Sequence, residues 1–413
     1  MYIAIMGYGV VGSGVAEVIN TNHESIVRKS TQSSLEIKHI LDLRDFPGDP
    51  NESLMIKDFN IIVNDPEVEL VVETMGGLHP AFEFVSDCLK AKKSVVTSNK
   101  ELVAEKGCEL LKLAEENNVN FLFEASVGGG IPIIRPMSQC LAANEIKEFA
   151  GILNGTTNFI LTKMIADGMA FSDALKLAQD NGYAERDPSA DILGFDACRK
   201  VCILASLAFG KHVYPSEIHT EGITEITLED VEYAKDWGGV IKLLGRARRS
   251  EDGEHISAIV SPAFVNSHSQ LAGVDDVFNA ILVRGDAVGD VVFYGRGAGK
   301  LPTASAVVGD VIDCARHMDK QKFFGWSDGE NGYVADYLDA PTALYVRARA
   351  EQKEQAVSAA QNAFGEIKLL SRANAPEDEL AFVTPIDCER ELRAKLDSLT
   401  GMEIISTLRV TDY

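Results

Sequence analysis

Twenty residues from Asn181 to Lys200, NGYAERDPSADILGFDACRK, set four carboxylates (Glu185, Asp187, Asp191, Asp196) among three cations (Arg186, Arg199, Lys200). The apolar run VCILASLAF follows at once, so the charged stretch ends in a helix that must be anchored to a core. Asp196 and Lys200 stand four apart and share one face of that helix as an acid–base pair, with Glu185 arriving from the loop side. On spacing alone, a solvated turn with a surface ion pair is the commoner explanation of such a cluster. A second lysine, Lys100, closes the run Thr97-Ser98-Asn99-Lys100 directly after a β-like SVVT. In an open α/β sheet that strand end faces the ligand crevice, so Lys100 is a candidate for chemistry rather than an ordinary surface lysine.

The elements that must position these groups begin at the N-terminus. The β-run Tyr2–Met6 leads into Gly7-Tyr8-Gly9-Val10-Val11-Gly12 and then a helical SGVAEVI, a GxGxxG between strand and helix. Gly7 permits the tight turn, Gly9 lets a pyrophosphate approach the backbone at the helix start, and Gly12 lets the helix pack on the sheet. A second strand, Leu35–Leu41, ends in Asp42-Leu43-Arg44-Asp45. An acid there binds the ribose 2′-hydroxyl of NAD and an arginine receives the 2′-phosphate of NADP; both residue types are present, so the choice stays open. Further strands at 70–73, 94–97 and 120–124 alternate with helices at 81–92 and 105–117, the pattern of a doubly wound, Rossmann-type parallel sheet.

Glu124-Ala-Ser-Val-Gly-Gly-Gly-Ile-Pro then marks the exit from this nucleotide-binding part. Glu124 with loop carbonyls suits a hard monovalent cation, and a plain hinge explains the glycines equally well. A strand at 146–153 precedes Asn154-Gly-Thr-Thr-Asn158, where the threonines suit capping of the next helix. Helices at 172–180 and 195–209 and strands near 239–244, 255–265 and 277–283 describe an α+β substrate part built on an open mixed sheet. A strand at 290–294 gives way to a second glycine-rich turn, Gly295–Pro302, and a helix to about 318, which either closes over the cofactor or returns the chain to the first sheet. Residues 320–340 are irregular and acidic and read as a linker. Residues 341–413 follow as strand, helix, two strands, helix, strand, the ferredoxin-like βαββαβ order of a regulatory or dimerising module. The expected units are therefore 1–130 (completed by about 300–319), 131–299, the linker and 341–413.

The balance of 39 Lys+Arg against 62 Asp+Glu, a net charge of −23, argues against nucleic acid or an anionic membrane as partner, since both demand a basic footprint. Seven scattered cysteines without metal-ligand spacing read as reduced thiols of a cytoplasmic protein. No secretory leader or membrane-length apolar run is visible.

Six stretches together resemble the homoserine dehydrogenases of the bacterial type with a C-terminal ACT domain. They are GYGVVGSGV near the start, VVTSNKEL, EASVGGGIPII, NGTTNFIL, GYAERDPSADILGFDACRK and YGRGAGKLPTASAVVGD. The resemblance spans nearly the whole chain. It implies NAD(P)-dependent interconversion of L-aspartate 4-semialdehyde and L-homoserine, on the route to threonine and methionine, by a homodimer or higher homo-oligomer. By that resemblance Lys200 and Lys100 are the paired catalytic lysines, with Lys200 the proton donor and Asp196 beside it. Glu185, Asp191 and Asp196 take the substrate, and Glu124 with the carbonyls of Val127, Gly129 and Ile131 forms a sodium site. The cofactor set is Gly7, Tyr8, Gly9, Val10, Val11, Gly12, Arg44, Ser98, Lys100, Gly182 and Gly299. Two departures stand out. The turn Ala350–Gln355 of the last module lacks the glycine and proline of effector-binding ACT domains, which puts threonine control through it in doubt, and Arg186 replaces a commoner proline.

Overall fold

Ile3, Ala4, Ile5 and Met6 are wholly buried, as a strand covered on both faces must be. They form the middle of β1 (Tyr2–Met6) in a parallel sheet with β2 (Glu36–Leu41), β3 (Met55–Ile56), β4 (Val68–Glu73), β5 (Ser94–Thr97) and β6 (Phe121–Leu122). The computed structural model describes residues 1–411, so the last two residues of the module expected at 341–413 lie outside the described residues. The strand order is β3-β2-β1-β4-β5-β6, the doubly wound order whose reversal point lies beside β1. Helices Val10–Thr21, His23–Ser30 and Lys300–Arg316 close one face through Val15, Ile19, Ile26, Val307 and Val311. Helices Ala81–Lys90 and Lys100–Asn117 close the other through Val85, Leu89, Leu102 and Val103. The helix after the second glycine-rich turn thus returns to the first sheet.

Two elements here differ from the sequence reading. The helix expected at 105–117 begins at Lys100, because Asn99 caps it by accepting from the Leu102 amide at 3.1 Å. The strand expected over 120–124 is only two residues long, since Glu124 opens a 3₁₀ turn.

Eleven further strands make one sheet: β7 (Ile146–Ile152), β8 (His219–Thr220), β9 (Gly239–Arg249), β10 (Ile256–Asn266), β11 (Phe278–Gly285), β12 (Gly289–Arg296), β13 (Pro341–Arg349), β14 (Lys368–Leu370), β15 (Glu379–Val383), β16 (Asp387–Cys388) and β17 (Glu403–Thr411). Its order is β12-β11-β7-β9-β10-β17-β13-β15-β14, with β8 on β10 and β16 on β13. The substrate part is antiparallel throughout its long strands; parallel pairs enter only where β8 and β17 meet β10. Strands β13, β14, β15 and β17, with helices Lys353–Phe364 and Glu389–Ser398, give the ferredoxin-like βαββαβ module, to which the two-residue β16 adds a short pairing.

That module does not hang from a tether. β17 joins β10 in parallel, and helix Leu228–Trp237, which the sequence reading missed, lies against the module's sheet. Tyr345 donates to Asp230 at 3.0 Å and Tyr233 to Glu379 at 2.8 Å across this contact, both buried. Residues 320–340 are irregular as expected, yet they are fixed. The Trp326 indole N–H donates to His212 Nδ1 at 3.0 Å, its ring packs on Gly107, and Ser327 pairs with Lys211. Burial keeps the His212 imidazole neutral, down to about 4. Among the described residues no helix is long and apolar enough to cross a membrane, and all seven cysteines are free.

Arg409, 2% exposed, is the pin of the seam. Its guanidinium holds Glu389 through two bonds of 2.8 and 2.7 Å and Glu221 through two of 2.8 and 3.0 Å. Taking away one member of such a group leaves buried charge without a partner, which costs about 3–5 kcal/mol. Arg409→Met is therefore expected to lower the free energy of unfolding by about that amount in urea titration.

Candidate active site

Helix Phe195–Phe209 presents Asp196 and Lys200 on one face, and both are buried. Lys200 Nζ lies 2.8 Å from Asp196 Oδ2 and donates to the Leu153 carbonyl at 2.7 Å. Lys100 Nζ, on the first residue of its own helix, lies 2.5 Å from Asp196 Oδ1. One carboxylate thus takes a lysine on each oxygen. Lys200 is nearly enclosed, whereas the Lys100 side chain is 40% exposed. An outer pair, Arg199 with Glu101 at 3.2 Å, ties the two lysine-bearing helices together.

Burial pushes the Asp196 carboxyl up, but the pull of Lys200 and Lys100 overrides it and holds the group well below the usual carboxylate range. Asp196 in turn pushes Lys100 up, outweighing its desolvation. Asp191 goes the other way: burial and then the neighbouring Asp196 raise it. Two acids with opposite shifts side by side are the mark of a site in which charge is assigned rather than averaged.

Asn154 makes that arrangement possible, and the sequence reading gave it no role of its own. Its amide nitrogen donates to Asp191 Oδ1 at 2.7 Å and to Asp196 Oδ2 at 2.9 Å. Its oxygen accepts from the Thr157 amide at 2.8 Å, so Asn154, and not a threonine, caps helix Gly155–Asp167. An asparagine before Gly-Thr-Thr was the signal available. Glu185 is not brought into this cluster. It stands on an exposed turn whose main chain is held by Gln179, and its carboxylate has no partner among the described residues. Arg186 is exposed beside it. Gly182, in the same turn, is exposed with a φ of 74°.

Toward the nucleotide sheet, a Cβ on Gly12 would lie 1.9 Å from the Gly7 carbonyl oxygen, and Gly7 itself has a φ of 93° with the Met75 amide nitrogen 2.9 Å from its would-be Cβ. Only glycines allow this turn, and it leaves the helix start open beneath Gly9, a cradle that fits a dinucleotide pyrophosphate. Tyr8 and Val10 to Gly12 carry the turn into the helix. At the end of β2, Asp42 accepts from the Tyr8 amide at 2.8 Å and from the Arg44 side chain at 3.0 and 2.8 Å. Both candidates of the NAD-or-NADP choice are thus present and bound to one another. Ser98 follows β5, its amide donating to the Glu73 carbonyl. Gly299 precedes the return helix with a φ of 123°.

The Glu124 side chain is fully engaged by the chain's own backbone. Its oxygens accept from the amides of Ile133, Ile134 and Arg135 at 2.6, 2.8 and 2.8 Å, so the carboxylate serves the backbone of the following turn. Behind it, burial and Glu124 push the Asp310 carboxyl up to about 7 despite Arg135.

A dinucleotide cradle whose crevice opens on two lysines and a shared buried carboxylate defines an NAD(P)-dependent dehydrogenase of the carbonyl–alcohol class. A family model for homoserine dehydrogenase matches residues 132–312, and the NAD-binding domain of homoserine dehydrogenase matches residues 7–124. The chain is 36% identical to the homoserine dehydrogenase of Bacillus subtilis (strain 168), across 99% of this chain and 97% of that one. The crystal structure of a homoserine dehydrogenase from Thiobacillus denitrificans superposes with a TM-score of 0.87 at 35% identity, covering 100% and 98%. A hyperthermophilic archaeal homoserine dehydrogenase solved in complex with NADPH gives 0.63 at 29% identity, covering 76% of this chain and 97% of that one. The chain belongs to the homoserine dehydrogenase family.

Asn154→Ala removes a helix cap and the bridge between two acids. It is expected to cost about 1–2 kcal/mol of stability in denaturant titration. Asn154→Ser, which restores the cap alone, should recover part of the stability while leaving turnover depressed.

Proposed function

We propose that the chain interconverts L-aspartate 4-semialdehyde and L-homoserine with NAD(P), the reaction of its family, and that Lys200 moves the proton. The observation that carries this is the sharing of Asp196 by Lys100 and Lys200 at the mouth of the nucleotide sheet. The bound cofactor supplies or accepts a hydride at the carbonyl carbon. In the reducing direction Lys200, held between Asp196 and the Leu153 carbonyl, gives a proton to the oxygen as it gains negative charge. Lys100, the more exposed of the two, adds a second positive charge near that oxygen and keeps Asp196 from taking the proton. The substrate ammonium is met by Asp191 beside the cluster; for Glu185 to join it, the exposed turn that carries it must fold inward over the bound substrate.

Several finer assignments follow. NADP is the better fit to the end of β2, because the Asp42 oxygens are occupied while Arg44 lies with its guanidinium 3.8 Å from the would-be Cβ of Gly9. The archaeal relative bound to NADPH supports the same choice. The carbonyls of Val127, Gly129 and Ile131 accept no hydrogen bond among the described residues, so they suit a monovalent cation such as sodium without the Glu124 carboxylate. The units run as 1–130 with 300–319 for the cofactor, 131–299 for the substrate and 341–413 as the C-terminal module. With one edge paired to β10 and one face under helix Leu228–Trp237, that module is built into the enzyme's scaffold, and any effector it binds acts through that shared sheet. A homodimer in the cytoplasm fits the family resemblance and the free thiols.

Initial rates of L-homoserine oxidation, followed as NAD(P)H absorbance, test the assignment; folded wild-type protein with no turnover on either cofactor overturns it. Lys200→Ala should lose about 10²–10⁴-fold in kcat while cofactor affinity stays within about twofold. Arg44→Ala should weaken NADPH about tenfold or more and leave NADH unchanged, read by fluorescence titration. Acidification protonates Asp191 at a higher pH than an ordinary aspartate because its group is raised. The KM for L-homoserine should therefore climb as pH falls through that region, and Asp191→Asn should show a raised KM with that acid limb removed.

A further inference from the structure

Glu73 is the last residue of β4 and is wholly buried, with Met6 of β1 on one side and Thr97 of β5 on the other. Its Oε1 accepts from the amides of Met75 at 2.7 Å and Gly76 at 3.3 Å, and its Oε2 from the Thr97 hydroxyl at 2.5 Å. These donors are neutral; no cationic side chain pairs with it among the described residues. A carboxyl taken so far out of water normally has a cation beside it, and its absence calls for a physical reason.

Position supplies one. With the adenosine end of the crevice at β2, the reversal of strand order beside β1 sends the nicotinamide end toward β4 and β5. Lys100 and Asp196 meet at that same end. The amides of Met75 and Gly76 point inward to Glu73, so the trans peptides turn the carbonyls of Thr74 and Met75 outward, on a loop that is itself partly exposed. Thr97 continues the chain of contacts. Its hydroxyl oxygen accepts from the Asn99 amide at 2.9 Å, and Asn99 both donates to the Gly77 carbonyl at 2.6 Å and caps the Lys100 helix. One buried acid therefore holds the 74–77 loop and the base of the lysine-bearing helix together.

We propose that Glu73 is a positioning residue of the nicotinamide end of the crevice and that its buried negative charge makes the protein bind the oxidised, positively charged cofactor in preference to the neutral reduced one. The missing cation partner is then the oxidised ring itself. Burial pushes the Glu73 carboxyl up against the pull of its donors, and a positively charged nicotinamide bound at this end of the crevice would favour the ionised form. Across ~8–12 Å at an effective dielectric of ~20, one such attraction is worth about ten- to thirtyfold in binding. The inference rests on the NAD(P) reading of the cradle.

Glu73→Gln is the decisive variant. Its amide oxygen can keep both backbone amides and its nitrogen can donate to the Thr97 oxygen, so the loop contacts are kept with the Thr97 bond reversed, and the charge goes. Dissociation constants for NADP⁺ and NADPH are measured by calorimetry on the full-length protein, with no substrate and no turnover. NADP⁺ should weaken about tenfold and NADPH less than about twofold. Glu73→Asp should restore the wild-type ratio even if both affinities drop, and Glu73→Met, a second charge-free side chain, should shift the ratio as Gln does. Equal losses for both cofactors, or an unchanged ratio in Gln and Met, overturn the proposal. Wild-type protein that binds neither cofactor overturns the cofactor reading instead.

Discussion

The structure turns on one carboxylate with two lysines. Asp196 is buried, and a buried anion is tolerated only when its charge is matched and its lone pairs are filled. Lys100 and Lys200 match the charge, and Asn154 fills a remaining position. Each partner arrives on a different element: the first residue of one helix, the second turn of another, and the cap of a third. Electrostatics at this point thus help to fix how the nucleotide sheet meets the substrate part. The proposed reaction puts the substrate's carbonyl at that point.

Around that point the scaffold is stiff. The strap at 320–340 packs Trp326 on Gly107 of the Lys100 helix and pairs with the chain just after the Lys200 helix. The long sheet then runs without a break from the substrate strands into the C-terminal module, pinned by Arg409. A module sharing a sheet and buried ion pairs with the catalytic part cannot swing freely about a hinge. In this chain the module gives β10 a partner and removes an exposed edge.

Much of this was legible in the sequence. The GxGxxG after a strand, the SVVT strand bounded as Ser94–Thr97, and helix Phe195–Phe209 were placed to the residue, because apolar periodicity and glycine spacing are local signals. The pairing of Asp196 with Lys200 followed from a spacing of four. What stayed hidden was non-local. The convergence of Lys100 on the other oxygen of Asp196, the amide bridge from Asn154 and the parallel pairing of β17 with β10 join residues tens to hundreds of positions apart. Helix Leu228–Trp237 escaped because acids interrupt its apolar residues, and its burial comes from non-local partners, β9 of the substrate part and β14 of the module. The work of the Glu124 side chain was hidden for a related reason: its oxygens accept from three backbone amides nine to eleven residues on.

The most direct test of the shared-carboxylate account is a double-mutant cycle on kcat/KM for L-homoserine oxidation, using Lys100→Ala, Lys200→Ala and the double variant. If both lysines act through Asp196, removing either disturbs the charge that positions the other. The combined loss should then fall short of the product of the single losses by at least about tenfold. Losses that multiply without coupling would mean that the two lysines work independently, and would contradict the account.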